Sequence, residues 1–286
     1  MSLTGTRRIN VIGVWFLTLC ITSLVSCSEE ETCDTQRQPP LFGRPSANTG
    51  LSQEACSPVC ENCEDEGFES KLYAQDFINW LQGLELLNPP QGLTSNPYGD
   101  AQNAQPTKSE LACVVKIQSD TTYRLESRGL TEELDPLQEF ITHRGECGLC
   151  SSLDDLAVYM ANPDLTAPVR ECGARGFTDG EQAQLECLLE IGFSEPCAQI
   201  WLYNIINTRQ NCLALCLEYL EEPHHLEDGS LNPCIQCDED KSGPVFKKVA
   251  GRTRRSSGLA SGLCRPCESV FPLSHDYGFS QLGVGE

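Results

Sequence analysis

Cations are scarce in this chain. Its 286 residues hold 20 Lys and Arg against 41 Asp and Glu, a formal charge of −21. Neutralising nucleic-acid phosphates or an anionic bilayer takes clustered cations that dominate a surface, so this balance argues against both kinds of binder. Histidine is rarer still, with four in the chain, and it is the side chain best suited to proton transfer near neutral pH. No apolar run reaches the roughly 20 residues of a bilayer-spanning helix. No G-x-S-x-G, P-loop, H-E-x-x-H, dinucleotide fingerprint or spaced calcium loop is present, which lowers the expectation of an enzyme of those classes. No fixed-period repeat is present either, so a solenoid is not indicated. With 40% hydrophobic residues the chain is nonetheless neither disordered by composition nor polytopic, and its length suits one large domain or two small ones.

Cysteine, by contrast, is abundant at 18 residues. Arg7 and Arg8 precede an apolar run of about 15 residues from Val11 to Val25, the build of an export signal over residues 1–27. The run ends in Leu24-Val25-Ser26-Cys27, which resembles the lipobox of bacterial lipoproteins. The resemblance implies acylation of Cys27, with Ser28 of the type sorted to the outer membrane. An ordinary signal peptide cut after Cys27, or an uncleaved anchor, remains the alternative. Loss of Cys20 with the leader and of Cys27 by acylation or cleavage leaves 16 cysteines, an even number, whereas a cut after Ser26 without acylation strands one thiol. The expected location is therefore the cell envelope or the extracellular space.

Residues 28–67 read as an acidic, polar tether followed by a cysteine-rich loop. A core domain is expected over 68–222. Its apolar spacing predicts an amphipathic helix from Phe68 to Leu87, stopped by Asn88-Pro89-Pro90. Leu111–Ile117 and Thr121–Ser127 predict a β-hairpin in which Val115 and Ile117 meet Tyr123 and Leu125, the only regular β-structure expected. A short helix is expected around Glu132–Ile141, and another from the cap Ser152 to about Met160. Thr178 with Glu181 suggests a capping box for a helix ending at Gly192, and Ser194 with Pro196 opens the longest helix, closed by Pro223. Residues 223–286 lose this periodicity and read as a cysteine-rich C-terminal lobe with a basic loop. The fold class expected is mainly α: a disulfide-stapled helical domain with a small β-hairpin and an irregular cysteine-rich C-terminal lobe.

In an exported chain the cysteines read first as disulfides. The candidates are Cys33, Cys56, Cys60, Cys63, Cys113, Cys147, Cys150, Cys172, Cys187, Cys197, Cys212, Cys216, Cys234, Cys237, Cys264 and Cys267, with the connectivity left open. At about 6% of the chain from Cys27 onward they fall below the roughly 8–10% of a pure disulfide scaffold, so the helices must bury a core.

Three chemical alternatives compete for the same thiols. Cys234-x-x-Cys237 and Cys264-x-x-Cys267 resemble the ligand layout of a zinc ribbon, which implies a four-thiolate site. Cys147-Gly148-Leu149-Cys150 before a helix resembles the C-G-x-C dithiol of thioredoxin-like proteins, where the helix N-terminus stabilises a thiolate. The same segment from Arg144 to Ser151 resembles the nucleophile loop of papain-like cysteine proteases, which implies Cys150 as nucleophile and His275 as base. That pattern is incomplete, because Arg144 stands at the oxyanion-hole position and no Asn follows His275.

His224-His225 among Glu221, Glu222, Glu227 and Asp228 reads as a solvated helix terminus or a weak proton-sensing patch. Lys247, Lys248, Arg252, Arg254 and Arg255 form the one basic cluster, a candidate for docking an acidic protein or glycan partner or for pairing within the molecule. The expectation is an exported binding or structural module without catalysis, cofactor or nucleic acid, membrane-attached through a lipid or N-terminal anchor. The alternative is a thiol enzyme built on Cys147 and Cys150.

Overall fold

The computed structural model describes residues 40–60, 67–104 and 110–282. The expectations at Cys20, Cys27, Cys33 and Cys63, and for the leader itself, lie outside these residues.

The chain enters through two pairs of very short strands. β1 (Leu41–Phe42) pairs with β2 (Cys56–Ser57), and β3 (Val59–Cys60) with β4 (Phe68–Glu69). The first helix, α1, spans Gln75–Gln82 and is shorter than the predicted 68–87. Phe77, Ile78 and Leu81 supply its buried face as the spacing requires. Residues on either side are claimed by strands instead: Phe68 pairs with Cys60, while β5 (Glu85–Leu86) joins the central sheet.

That sheet has four strands in the order β5-β7-β6-β8. β6 (Leu111–Ser119) and β7 (Thr122–Gly129) form the expected hairpin, with Val115 opposite Leu125 and Ile117 opposite Tyr123. It is not the only β-structure. β8 (Glu139–Arg144) pairs antiparallel with β6 and replaces the helix expected around 132–141. Asp135 stands before Pro136, which disfavours helical backbone there, and it organises a turn that accepts from the Gln138 and Glu139 N–H groups.

Seven helices carry most of the regular structure among the described residues. α2 (Leu153–Ala161) starts as expected at Ser152, whose hydroxyl accepts from the Asp155 N–H. α3 (Thr166–Thr178) was not legible in the sequence, because Pro168, Gly173 and Gly176 dilute its pattern. Thr178 ends α3 and does not cap the next helix. α4 (Glu181–Glu190) begins instead after Gly180, at φ 89°, with no side-chain cap. Gly192, at φ 111°, turns the chain into α5 (Glu195–Glu218), capped by Ser194.

The C-terminal region is more regular than expected. α6 (Pro233–Lys241) is capped by Asn232 with Pro233 in its first turn, and α7 (Gly243–Ala250) follows after Ser242. Residues 219–232 before α6 are irregular, and beyond Gly251 the named elements are only short turns of 3-10 helix. The core lies between the sheet and α1, α2, α4 and α5, built around Leu81, Val115, Tyr123, Leu153, Leu156 and Ile200.

Candidate functional site

Seven disulfides join all fourteen cysteines of the described residues: 56–264, 60–267, 113–147, 150–197, 172–187, 212–237 and 216–234. The sequence candidates are thereby dispersed. Cys147 is bonded to Cys113 on β6, and Cys150 to Cys197 on α5, so the two thiols of the C-G-L-C segment form neither a mutual pair nor a free nucleophile. Cys234 and Cys237 are bonded to α5, whereas Cys264 and Cys267 are bonded to the N-terminal loop, so the zinc-ribbon quartet is split between two regions. Among the described residues no cluster of His, Cys, Asp and Glu is placed to hold a metal ion.

The segment around Cys150 is instead the seat of a buried polar lattice. Arg252, taken in the sequence as part of a basic surface cluster, is fully buried. All five of its N–H groups donate: Nε to Cys150 O at 3.0 Å, Nη1 to Thr142 O at 2.9 Å and Ser257 Oγ at 3.2 Å, Nη2 to Thr142 Oγ1 at 2.7 Å and Ser151 O at 2.9 Å. His275 sits beside it, with Nδ1 2.7 Å from the Tyr277 hydroxyl and Nε2 2.9 Å from Ser257 O. Burial and the Arg252 charge bring the His275 pKa down to about 3, so the ring is neutral.

A Ser–His contact not anticipated from sequence lies in the same lattice, with Ser151 Oγ 2.7 Å from His143 Nε2. Both side chains have no exposure. His143 Nδ1 faces the Arg144 carbonyl at 3.1 Å, and the Gly148 N–H donates to Ser151 Oγ at 2.7 Å. A hydroxyl that already accepts a backbone N–H and that no substrate can reach holds the loop rather than attacking a carbonyl.

The remaining basic residues are also engaged. Arg254 donates to the carbonyls of Tyr159 and Asn162. Lys248 donates to Gln102 O, while Lys247 and Arg255 meet Glu239 at 2.8 and 3.3 Å. His224 and His225 are buried rather than solvated. The first contacts Asp164 at 2.9 Å, and the second accepts from the Cys264 N–H at 2.9 Å.

A sizeable cavity lies elsewhere, an open groove of about 570 Å³ between α3 and α5 that is closed at one end by α6, α7 and the loop from 253 to 265. Its volume falls in the range of small-molecule sites, roughly 300–1,000 Å³. Val169, Trp201, Ile205, Leu213, Ile235 and Phe246 make its walls mainly apolar. The hollow exists because α3 presents Gly173 and Ala174 to it. A Cβ built on Gly173 meets Ile205 Cγ2 at 3.3 Å, so any larger side chain would enter the space. Phe177, Leu217 and Leu220 stand exposed at the rim, by 61%, 64% and 48%.

Polar groups gather at the closed end. Asp238 accepts from Thr208 Oγ1 and from Asn204 Nδ2, and burial pushes its carboxyl upward. Next to it Glu239 is met by Arg265 at 2.6 Å as well as by Lys247 and Arg255. Burial alone would raise the Glu239 carboxyl, but the charges of Arg265, Lys247 and Arg255 outweigh it and hold the pKa at about 2. Nearby, the Tyr159 hydroxyl and the Trp201 indole N–H are buried, close enough to influence one another, and neither makes a hydrogen bond of good geometry.

Fold and cysteine pairing together define a disulfide-rich module of the extracellular kind, since this many bridges persist in an oxidising environment. Among the described residues no helix is long and apolar enough to cross a membrane. A family model described as "Family of unknown function (DUF8771)" matches residues 181–273, from α4 to the loop beyond α7. No curated protein and no solved structure matches the chain. The matched stretch contains the α5, α6 and α7 walls of the groove and its polar end, while α3 and Tyr159 fall outside it.

Proposed function

We propose that the protein is an exported, disulfide-stapled binding module of the cell envelope or extracellular space, attached to a membrane through Cys27, that takes an apolar ligand in the groove without covalent chemistry. The groove carries this reading. A mainly apolar hollow that stays open among helices cross-linked by disulfides is a preformed site, and preformed sites bind without the cost of ordering their walls.

The test is binding of the neutral fluorophore N-phenyl-1-naphthylamine to the oxidised protein. Wild type should enhance its emission saturably, and Gly173→Leu, which fills the hollow against Ile205, should abolish the enhancement. Ala174→Trp at the exposed rim serves as a second blocking variant, and thermal midpoints show that each variant is folded. Equal binding by wild type and by both folded variants overturns the reading.

A further inference from the structure

The groove is charged against the sign of the whole molecule. Its lining includes Arg170, Arg209, Lys247, Arg254, Arg255 and Arg265 against Asp164, Asp238 and Glu239, a formal +3 within a chain of −21. Six of the 20 Lys and Arg thus line one cavity, so the scarce cations are concentrated where the surface is otherwise apolar. Three of them converge on Glu239, with Asp238 beside it, leaving one formal positive charge in excess at the closed end. Lys247 and Arg255 are partly exposed there, so an anionic group entering the groove can reach them and add charge-assisted hydrogen bonds.

The shape of the groove points to an occupant with a polar head and an apolar body. From the closed end the walls run outward through Val169 and Ile205 to the exposed Phe177, Leu217 and Leu220, with no acidic side chain on the α3 or α5 surfaces that line the groove. A compact polar ligand would leave that length of apolar wall wet, and a neutral hydrocarbon would make no use of the net positive lining.

Resting on the reading of the groove as a binding site, we infer that its ligand is a single-chain anionic amphiphile, whose carboxylate or phosphate head meets the Lys247, Arg255 and Arg265 cluster and whose alkyl chain lies along α3 and α5. The head would share the three cations with Glu239, and the Trp201 indole would report its arrival.

The experiment compares palmitate, palmitoyl lysophosphatidic acid, hexadecanol and hexadecyltrimethylammonium, each below its micellar concentration, as competitors of N-phenyl-1-naphthylamine. Trp201 emission in a Trp15→Phe/Trp80→Phe background provides the direct readout. An anionic head should tighten binding about tenfold over hexadecanol, the scale of one charge-assisted contact, and the ammonium should bind weakest. The Lys247→Gln/Arg255→Gln double variant should reduce that preference to within about twofold. Palmitate against lysophosphatidic acid identifies which head is held better. If the fluorophore binds but palmitate and hexadecanol compete equally, the inference fails while the binding site stands. If nothing binds, both fail. A concentration-dependent dimer that excludes every probe would assign the groove to a second copy of the chain and overturn the inference.

Discussion

At the scale of single residues, Arg252 and His275 show how a buried charge and a buried base coexist. Arg252 is met by carbonyl and hydroxyl oxygens rather than by a carboxylate in contact, and its five donors offset a desolvation cost of several kcal/mol. The ring of His275 must then stay neutral. Arg252 and Tyr277 both donate to Thr142 Oγ1, each at 2.7 Å, while His275 Nδ1 lies 2.7 Å from the Tyr277 hydroxyl and Nε2 2.9 Å from Ser257 O. With its folded pKa at about 3 against 6.5, His275 binds its proton far more readily in the unfolded chain. The stability this provides is complete above pH 6.5 and is lost as the pH falls toward 3. In urea titrations the advantage of wild type over His275→Gln should therefore be constant above pH 6.5 and shrink by about 1.4 kcal/mol per pH unit below it. A gap independent of pH would show that His275 titrates normally. None of this was legible from sequence, where Arg252 reads as one of five basic residues in a loop. Nothing within a few residues of it reveals that Thr142 and Cys150 supply its partners.

At the scale of elements, the signals that sequence reading captured are those that a helix or hairpin carries within itself. Ser152 and Ser194 cap α2 and α5 by accepting an N–H three residues on, a contact that needs no other part of the molecule. The β6–β7 register follows from alternation across a tight turn for the same reason. Of the elements that were missed, the strands depend on distant partners, β8 on the free edge of β6 and β5 on β7, whereas α3, α6 and α7 are helices whose apolar pattern is diluted or short. α5 is buried on two sides. Cys197, Ile200 and Ile206 face the core, while Trp201 and Ile205 line the groove. One residue couples two of these elements. Asp155 accepts from the Ser152 hydroxyl at 2.6 Å and from the Ser194 N–H and hydroxyl, both at 2.8 Å, so a single carboxyl ties the starts of α2 and α5. Asp155→Ala should cost on the order of 3 kcal/mol, because three buried donors lose their acceptor, and Asp155→Asn should cost less. Denaturant unfolding of the two variants checks this, and equal costs would show that the acceptor role is not what matters.

Across the whole molecule, two bridges close nearly the entire described chain into a ring. Cys56–Cys264 and Cys60–Cys267 span 208 and 207 residues, and the β1–β2 pair together with the Phe42–Arg265 bridge lies between them and the C-terminal loop. They are redundant in the unfolded chain. With one in place the other closes only a small additional loop, so removing either alone should cost about 2–3 kcal/mol in the chain-entropy account, whereas removing both should cost well beyond the sum, roughly 5 kcal/mol more than the first. Single and double Cys→Ala pairs compared by denaturant midpoints measure that non-additivity, and strict additivity would contradict it.

What the sequence by itself determined is local or compositional. The cysteine content pointed to an oxidising environment, and caps and alternation marked where several elements begin. Tertiary structure alone decided which cysteines pair, because a disulfide requires Cα atoms about 4.5 to 5.9 Å apart, and C-x-x-C spacing does not say which distant thiol arrives. It also decided the fate of the few cations. Chain neighbours Arg252, Arg254 and Arg255 part company in space, one sealed beneath Cys150 and the others turned to the groove, because side-chain charge is placed by the packing of elements a hundred residues apart rather than by adjacency in the chain.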